Sequence, residues 1–329
     1  MHKLLADDGV VRRVGEAAAA APSIHNTQPW RLAVGQGDVL ELRADPDRAL
    51  WIADPCARAL YLSCGAALFN IRTAIRMTGY SPLVWPLPQP KHSPMLLAIV
   101  QAERARPPSF SERELYDAIW QRHTNRNAFT DQPLPDSVSI ALEQAAGFEF
   151  ASLRMLTVRE AASVIELATV ADRAMTADFA HQVELGQWVA TGSQQDGIPA
   201  AALPARPDRW PTPVRDFSSV TPTIERPPTT YERYPQLAVI ATARDEPADW
   251  LRAGQALQRV LLTATAHGVS SSFLYQPIEL HDMRGADAPA WPWHEHPQMI
   301  IRFGYGVSPP HTPRRPLDDI LIRTGESAD

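Results

Sequence analysis

Three short stretches hold the side chains of this chain that could do chemistry. In QRHTNRNAF (121–129), Arg122, Thr124 and Arg126 alternate, with a hydroxyl between two guanidinium groups. Arginine offers a fixed fork to phosphate oxygens and threonine adds a short donor, so this set suits a phosphate monoester beside an electron-rich ring. Basic residues at the end of a helix also complement its dipole, which requires no ligand. In APSIHNTQPWRL (21–32), Ser23, His25, Asn26, Thr27 and Gln28 crowd between Pro22 and Pro29 and close on Trp30. These residues suit a turn that ends a helix, each satisfying its own backbone, or a polar loop that faces a ligand. In RRPLDDIL (314–321), Arg314 and Arg315 form either a solvated tail or an anion contact.

Other chemistries find little support. His294, His296 and His311 lack a third partner at metal-ligand spacing. No G-x-S-x-G, phosphate-binding loop or G-x-G-x-x-G occurs. Asn70 and Cys64 suit a packed core, and Cys56 and Cys64 read as two reduced, mostly buried thiols in one helical segment. A net charge of −6 without a basic run argues against nucleic acid and favours a small molecule. MHKLLADDGVVRR meets charge before any apolar stretch, and no segment approaches the ~18 apolar residues of a membrane span, so the expected location is cytoplasmic, with no membrane partner.

The elements that must position these residues show a repeat. CGAALFNIRTAIRMTGYS (64–81) aligns without gaps on AGQALQRVLLTATAHGVS (253–270), matching Gly65 with Gly254, Ala67 with Ala256, Leu68 with Leu257, Gly79 with Gly268 and Ser81 with Ser270. Both read as helices ending at glycine, and each leads through a Pro-bearing connection to an apolar strand, MLLAIV (95–100) or MIIRFGYG (299–306). Further helices are expected over 10–21, 111–123, 136–146 and 159–176, with Ser111 and Glu114 forming a capping box at the start of the second. Strands are expected near 31–34, 39–43, 153–158 and 236–243. Short strands alternating with helices, several of them hairpin-like, imply an α+β fold. Of the 31 prolines many fall in 81–94, 197–228 and 308–316. The middle zone is too long for an ordinary loop, and Trp210, Phe217, Tyr231 and Tyr234 argue against disorder.

The loop resembles the APSxxNxQPW element of nitroreductase-type flavoproteins, which it matches at Ser23, Asn26, Gln28, Pro29 and Trp30, and 122–129 is similar to their RRSxRxF signature. The chain is most like the long, Acg-type group of that family. The resemblance implies a nitroreductase-like fold of two tandem halves, 1–108 and 109–329, forming an intramolecular pseudo-dimer: a monomer that mimics a homodimer. It implies flavin mononucleotide (FMN) at the seam. Ser23, His25, Asn26, Thr27, Gln28 and Pro29 would face it from one half. From the other, Arg122 and Thr124 would hold ribityl and phosphate, Arg126 the electron-rich ring edge, and Arg314 or Arg315 the phosphate. A backbone donor to the ring would come from the turn SSSFLYQP (270–277), at Ser272, Phe273 or Leu274. The implied reaction is NAD(P)H-dependent reduction of a nitroaromatic, quinone-like or similar small-molecule electron acceptor, with no side-chain general base. The alternative is a flavin-binding protein with little turnover, its FMN stored or shielded under a lid at about 192–228.

Overall fold

The structure, a computed structural model, describes residues 4–35, 38–104, 107–190, 195–209, 211–284 and 295–322. The chain opens with α1 (Asp8–Ala19), capped by the Asp7 carboxylate on the Gly9 and Val10 amides, then runs through β1 (Trp30–Gly35) and β2 (Val39–Ala44) into α2 (Arg58–Met77). Strands β3 (Tyr80–Pro86) and β4 (Leu96–Arg104) precede α3 (Phe110–Gln121), α4 (Asp136–Gly147), β5 (Ser152–Met155), α5 (Val158–Ala177) and α6 (Phe179–Trp188). The proline-rich zone holds two-residue ladders: β6 (Val189–Ala190) on β7 (Ile198–Pro199), and β8 (Arg206–Pro207) on β9 (Pro228–Thr229). Last come β10 (Gln236–Thr242), α7 (Pro247–Ala266), β11 (Ser270–Phe273), α8 (Gln276–Arg284), β12 (His296–Gly304), α9 (Leu317–Ile320) and β13 (Leu321–Ile322).

Two sheets result, ordered β13-β1-β2-β4-β3 and β11-β12-β10-β5. The first is antiparallel except where β13 lies parallel to β1, with Leu321 opposite Leu32, so the end of the chain joins the sheet built by its beginning. One apolar core fills the space around the first sheet, α1 and α2; a second lies among β10, β12, α4, α5 and α7. The cores meet where α2 packs on α7, Leu62 reaching the second and Leu251 the first. At the crossing sit Gly65 and Gly254, the aligned glycines of the repeat. A Cβ at Gly65 would lie 2.3 Å from the Leu251 carbonyl oxygen, and one at Gly254 2.2 Å from that of Leu62. Only glycine lets the backbones approach so closely. Beside them Gln258 donates to Asn70 at 2.8 Å, and Asn70 donates to the Ala17 carbonyl at 2.7 Å, so this buried amide pair ties α1, α2 and α7 together.

Several local expectations shift. S-x-x-E occurs twice in overlap, and the earlier copy caps α3: the Glu112 amide donates to Ser109 Oγ at 3.2 Å and Ser109 N–H to Glu112 at 2.6 Å. Pro107 and Pro108 end the preceding extended chain, so the helix begins as soon as a cap follows. Part of the proline stretch 81–94 forms β3, an edge strand, where Pro82 and Pro86 leave no ladder donor missing from the interior. Residues 270–273 are a strand, not a turn. Cys64 is buried with Sγ 3.2 Å from the Pro29 carbonyl, whereas Cys56 precedes α2 and is exposed, correcting the expectation of two buried thiols. Among the described residues no helix is long and apolar enough to cross a membrane.

Candidate functional site

After α3 the chain does not turn away but lies along β11. Asn125 N–H donates to the Ser271 carbonyl at 2.8 Å, its side-chain amide donates to the Val307 carbonyl at 2.8 Å, and Thr124 bridges to Ser271. Backbone this extended sends alternate side chains the same way. Asn125 therefore anchors the run while Arg122, Thr124 and Arg126 face the seam. Phe129 closes it, packed so tightly beneath Gly304 that a Cβ there would lie 2.5 Å from the ring.

Two cavities flank this run. The inner one, about 90 Å³, is lined by Ser23, His25, Thr124, Arg126, Ser272 and Phe273, among others. The outer one, about 310 Å³, lies between the ends of α1 and α3 and the tail, with Arg122, His123 and Arg314 on its walls. Five guanidinium groups line the cavities; Arg215 and Arg315 meet carboxylates, and among the described residues Arg122, Arg126 and Arg314 meet none. Arg122, buried, donates to the Ala20 carbonyl at 3.1 Å. Arg126 makes one long contact, 3.4 Å to the Ala202 carbonyl. Arg314 donates to Thr312 Oγ1 at 2.7 Å and Asn26 Oδ1 at 3.2 Å. Among the described residues nothing accepts from Nε of Arg122 or Arg314. Burial lowers their proton affinity, to about 10 for Arg126 and Arg314 and about 9 for Arg122, where the charge of Arg314 adds to the burial.

Elsewhere this fold compensates its buried arginines. Arg58 meets Asp245 and Asp282, Arg302 meets Glu232 at 2.6 Å, and Arg215 meets Glu279 at 2.8 Å. An uncompensated charge in the interior is costly, and among the described residues one buried and two half-buried guanidinium groups here lack the carboxylates that the others have. Among the described residues no three His, Cys, Asp or Glu groups converge as metal ligands; His294 lies outside those residues, His296 is exposed, and His311 stacks on His123 at 4.0 Å.

The loop residues divide. Ser23 and His25 line the inner cavity. Asn26 and Gln28 instead hold the loop to its surroundings. Asn26 donates to the Gly197 and Pro313 carbonyls at 3.0 and 3.1 Å, and Gln28 donates to the Gln195 carbonyl at 3.1 Å and accepts from Arg315 N–H at 2.8 Å. Thr27 and Pro29 do not line the cavity; Thr27 is fully buried, and the Pro29 carbonyl accepts from Asp45 N–H. His25, Asn26 and Gln28 all have positive φ, at 46°, 59° and 50°. Each such residue costs on the order of 1–3 kcal/mol, strain of the kind stored at functional loops. His25 Nε2 is buried without a partner, and burial followed by the charge of Arg215 holds the imidazole neutral, its pKa pushed down to about 3.

The other expected contacts also separate. Ser272 and Phe273 line the cavity, but Leu274 is buried in the second core and its N–H donates to the Ile300 carbonyl at 3.0 Å. Arg315 is held by Gln28, Asp45 and the Asp319 carbonyl, whereas Arg314 meets only uncharged acceptors among the described residues. The proline-rich segment packs over the inner cavity through Val214, Arg215 and Phe217. It has an apolar core of its own, Leu185, Ile198, Leu203 and Phe217 among its members. Tyr231 is buried, Tyr234 is half exposed, and Trp210 and 192–194 lie outside the described residues. Arg215, Glu279 and His181 escaped the sequence reading, since nothing in their local spacing connects them.

The described residues thus form an α+β chain with uncompensated cations gathered beside two cavities. The chain is 31% identical over 318 residues, 95% of each chain, to the Mycobacterium tuberculosis protein named "Putative NAD(P)H nitroreductase acg". It is 31% identical over 328 residues, 98% of this chain and 93% of the other, to "Putative NAD(P)H nitroreductase Rv3131" of the same organism. It belongs to the nitroreductase family, in its long, Acg-type form. No protein-family model matches it. Among solved structures it is similar to nitroreductase A of Vibrio parahaemolyticus, with a TM-score of 0.38 and 11% identity over 66% of this chain and 78% of that one. It is also similar to the FMN-dependent nitroreductase NfnB of Mycobacterium smegmatis in complex with NADPH, with a TM-score of 0.36 and 15% identity over 65% and 99%. Scores this low carry no argument of their own.

Proposed function

We propose that the chain binds one FMN at the seam and acts as an NAD(P)H-dependent oxidoreductase on nitroaromatic or quinone-like acceptors. The observation that carries this reading is the set of three guanidinium groups, Arg122 buried and Arg126 and Arg314 half-buried, with no carboxylate on any of them among the described residues. The donor set fits a flavin phosphate ester: Arg122, Arg314 and Thr124 would hold ribityl and phosphate, and Arg126 would lie against the ring. When bound, FMN would supply the two-electron chemistry between nicotinamide and acceptor. The protein's own part is position and electrostatics, since a fixed cation beside an electron-rich ring stabilises its reduced, negatively charged form. Ser23, His25, Ser272 and Phe273 would enclose the ring and exclude water. The relatives' names as NAD(P)H nitroreductases support the same assignment. The halves 1–108 and 109–329 then stand for the two subunits of a dimer, a reading supported by the matched glycines where α2 and α7 cross.

A purified sample should carry a yellow chromophore released by heat, with one flavin per chain. Two flavins per chain, or none after reconstitution with FMN, would overturn the assignment.

One observation favours a second reading, in which the segment shields the flavin: Val214, Arg215 and Phe217 sit over the cavity, and the segment is locked by its own core. Proline lowers the entropy lost on ordering such a cover. Replacing 197–228 by a short Gly/Ser linker is expected to raise the rate of NAD(P)H oxidation, with reduction by dithionite little changed. Equal, rapid NAD(P)H oxidation by both proteins would show that the segment is no barrier.

A further inference from the structure

The cover is fastened at one buried point. Glu279 of α8 is fully buried, with two cationic candidates on it. Arg215 of the proline-rich segment donates to Oε2 at 2.8 Å, and His181 of α6, also fully buried, places Nε2 2.7 Å from Oε1. Arg215 Nη2 lies only 3.3 Å from that same imidazole nitrogen. With the segment in place Arg215 is the cation on Glu279, donating to both carboxylate oxygens, at 2.8 Å to Oε2 and 3.3 Å to Oε1. Resting on the reading of this segment as the cover of the site, we infer that its opening is proton-coupled: when Arg215 withdraws, His181 takes up a proton and replaces it as the cation on Glu279.

The alternative is physically poor. A carboxylate left in the interior with no cation costs several kcal/mol, whereas a proton on the adjacent imidazole restores the pair at once. The surroundings push the same way. Arg215 and His181 hold Glu279 well ionised against its burial, with a pKa of about 2 in the closed arrangement. Asp172 of α5, 3.8 Å from Arg215, is raised to about 6 by burial, and His25 is lowered to about 3 by burial and then by Arg215. Arg126 is a further cation acting on His25, and Tyr275 feels the charge of Glu279. Removing Arg215 raises the proton affinity of Glu279, Asp172 and His25 alike, so opening binds protons and is favoured as pH falls.

Hydrogen exchange of the segment's amides in the full chain tests this directly, with rates corrected for the intrinsic pH dependence of exchange. The opening constant should rise about tenfold for each unit of falling pH while one proton is taken up. His181→Gln keeps a donor to Glu279 but cannot titrate, so the slope should move to lower pH, where the carboxylate itself must take the proton; Glu279→Gln, which needs no cation, should flatten it. Arg215→Met should leave the segment weakly protected at every pH. Protection of α7 amides reports whether each variant keeps its fold, and the wild-type slope stands without any variant. A flat wild-type profile overturns the inference, as does a slope left at its wild-type pH in folded His181→Gln. The measurement needs no flavin: a preparation that shows the slope but binds no FMN would refute the cofactor assignment and leave the switch standing.

Discussion

Arg122→Ala and Arg314→Ala each weaken FMN binding by about 1.5–3 kcal/mol, roughly 10- to 150-fold in Kd, the loss expected for one charge-assisted contact. The same substitutions leave the ligand-free protein as stable as before or more so, because each removes a buried or half-buried cation that no carboxylate compensates among the described residues. Arg302→Ala has the opposite signature. It strands Glu232, which is bound to Arg302 at 2.6 Å, and should cost about 3–5 kcal/mol of stability. Arg126→Ala separates from both by lowering the midpoint potential of the bound flavin more than its affinity. Flavin titration, redox titration and urea unfolding of the four variants distinguish these outcomes. If Arg122→Ala and Arg314→Ala destabilise the empty protein while leaving flavin affinity unchanged, the cations are structural, and the helix-end reading of Arg122 and His123 is restored.

Gly254→Ala is expected to destabilise the chain by about 3 kcal/mol, the upper end of the overpacking range, because the atom its Cβ meets is a backbone oxygen 2.2 Å away rather than a movable side chain. Gly65→Ala meets the Leu251 carbonyl in the same way, at 2.3 Å. Any movement that relieves either clash pries α2 from α7 and widens the seam, so flavin affinity should fall together with the unfolding midpoint. Gly186→Ala is the contrast. Its Cβ would meet nothing within 4 Å inside α6, and the change should stabilise the helix by about 0.5–1 kcal/mol. Comparable, small effects at all three glycines would mean that the two helices separate without cost.

The repeat was readable because a helix keeps its contact face in a local pattern, and the glycine matched in both copies is the residue that marks the crossing of α2 and α7. The α+β class and the positions of the long helices followed from periodicity and glycine stops in the same way. Ends proved less legible: two overlapping caps competed at Ser109 and Ser111, and the strand at 270–273 read as a turn because three serines carry little apolar signal. The alternation of Arg122, Thr124 and Arg126 was visible, but its meaning depended on β11, more than a hundred residues away, which draws the run out straight.

What the sequence determined, then, was everything written over a few residues: the polar loop, the basic run, the paired helices and their glycines. The tertiary structure alone decided which charges are answered. Arg314 and Arg315 are neighbours in the chain, yet Asp45 answers the charge of one while the other meets only uncharged acceptors among the described residues. Asn26 and Gln28 look like ligand contacts in the loop, and the fold uses them to bind its own segment and tail. Arg215, Glu279 and His181 are separated by 34 to 98 positions, and no spacing announces them. Local sequence fixes backbone direction and helix faces, because those forces act within a turn or two. Whether a buried charge is compensated depends on which distant group the folded chain brings within about 3 Å, and only closure of the chain decides that.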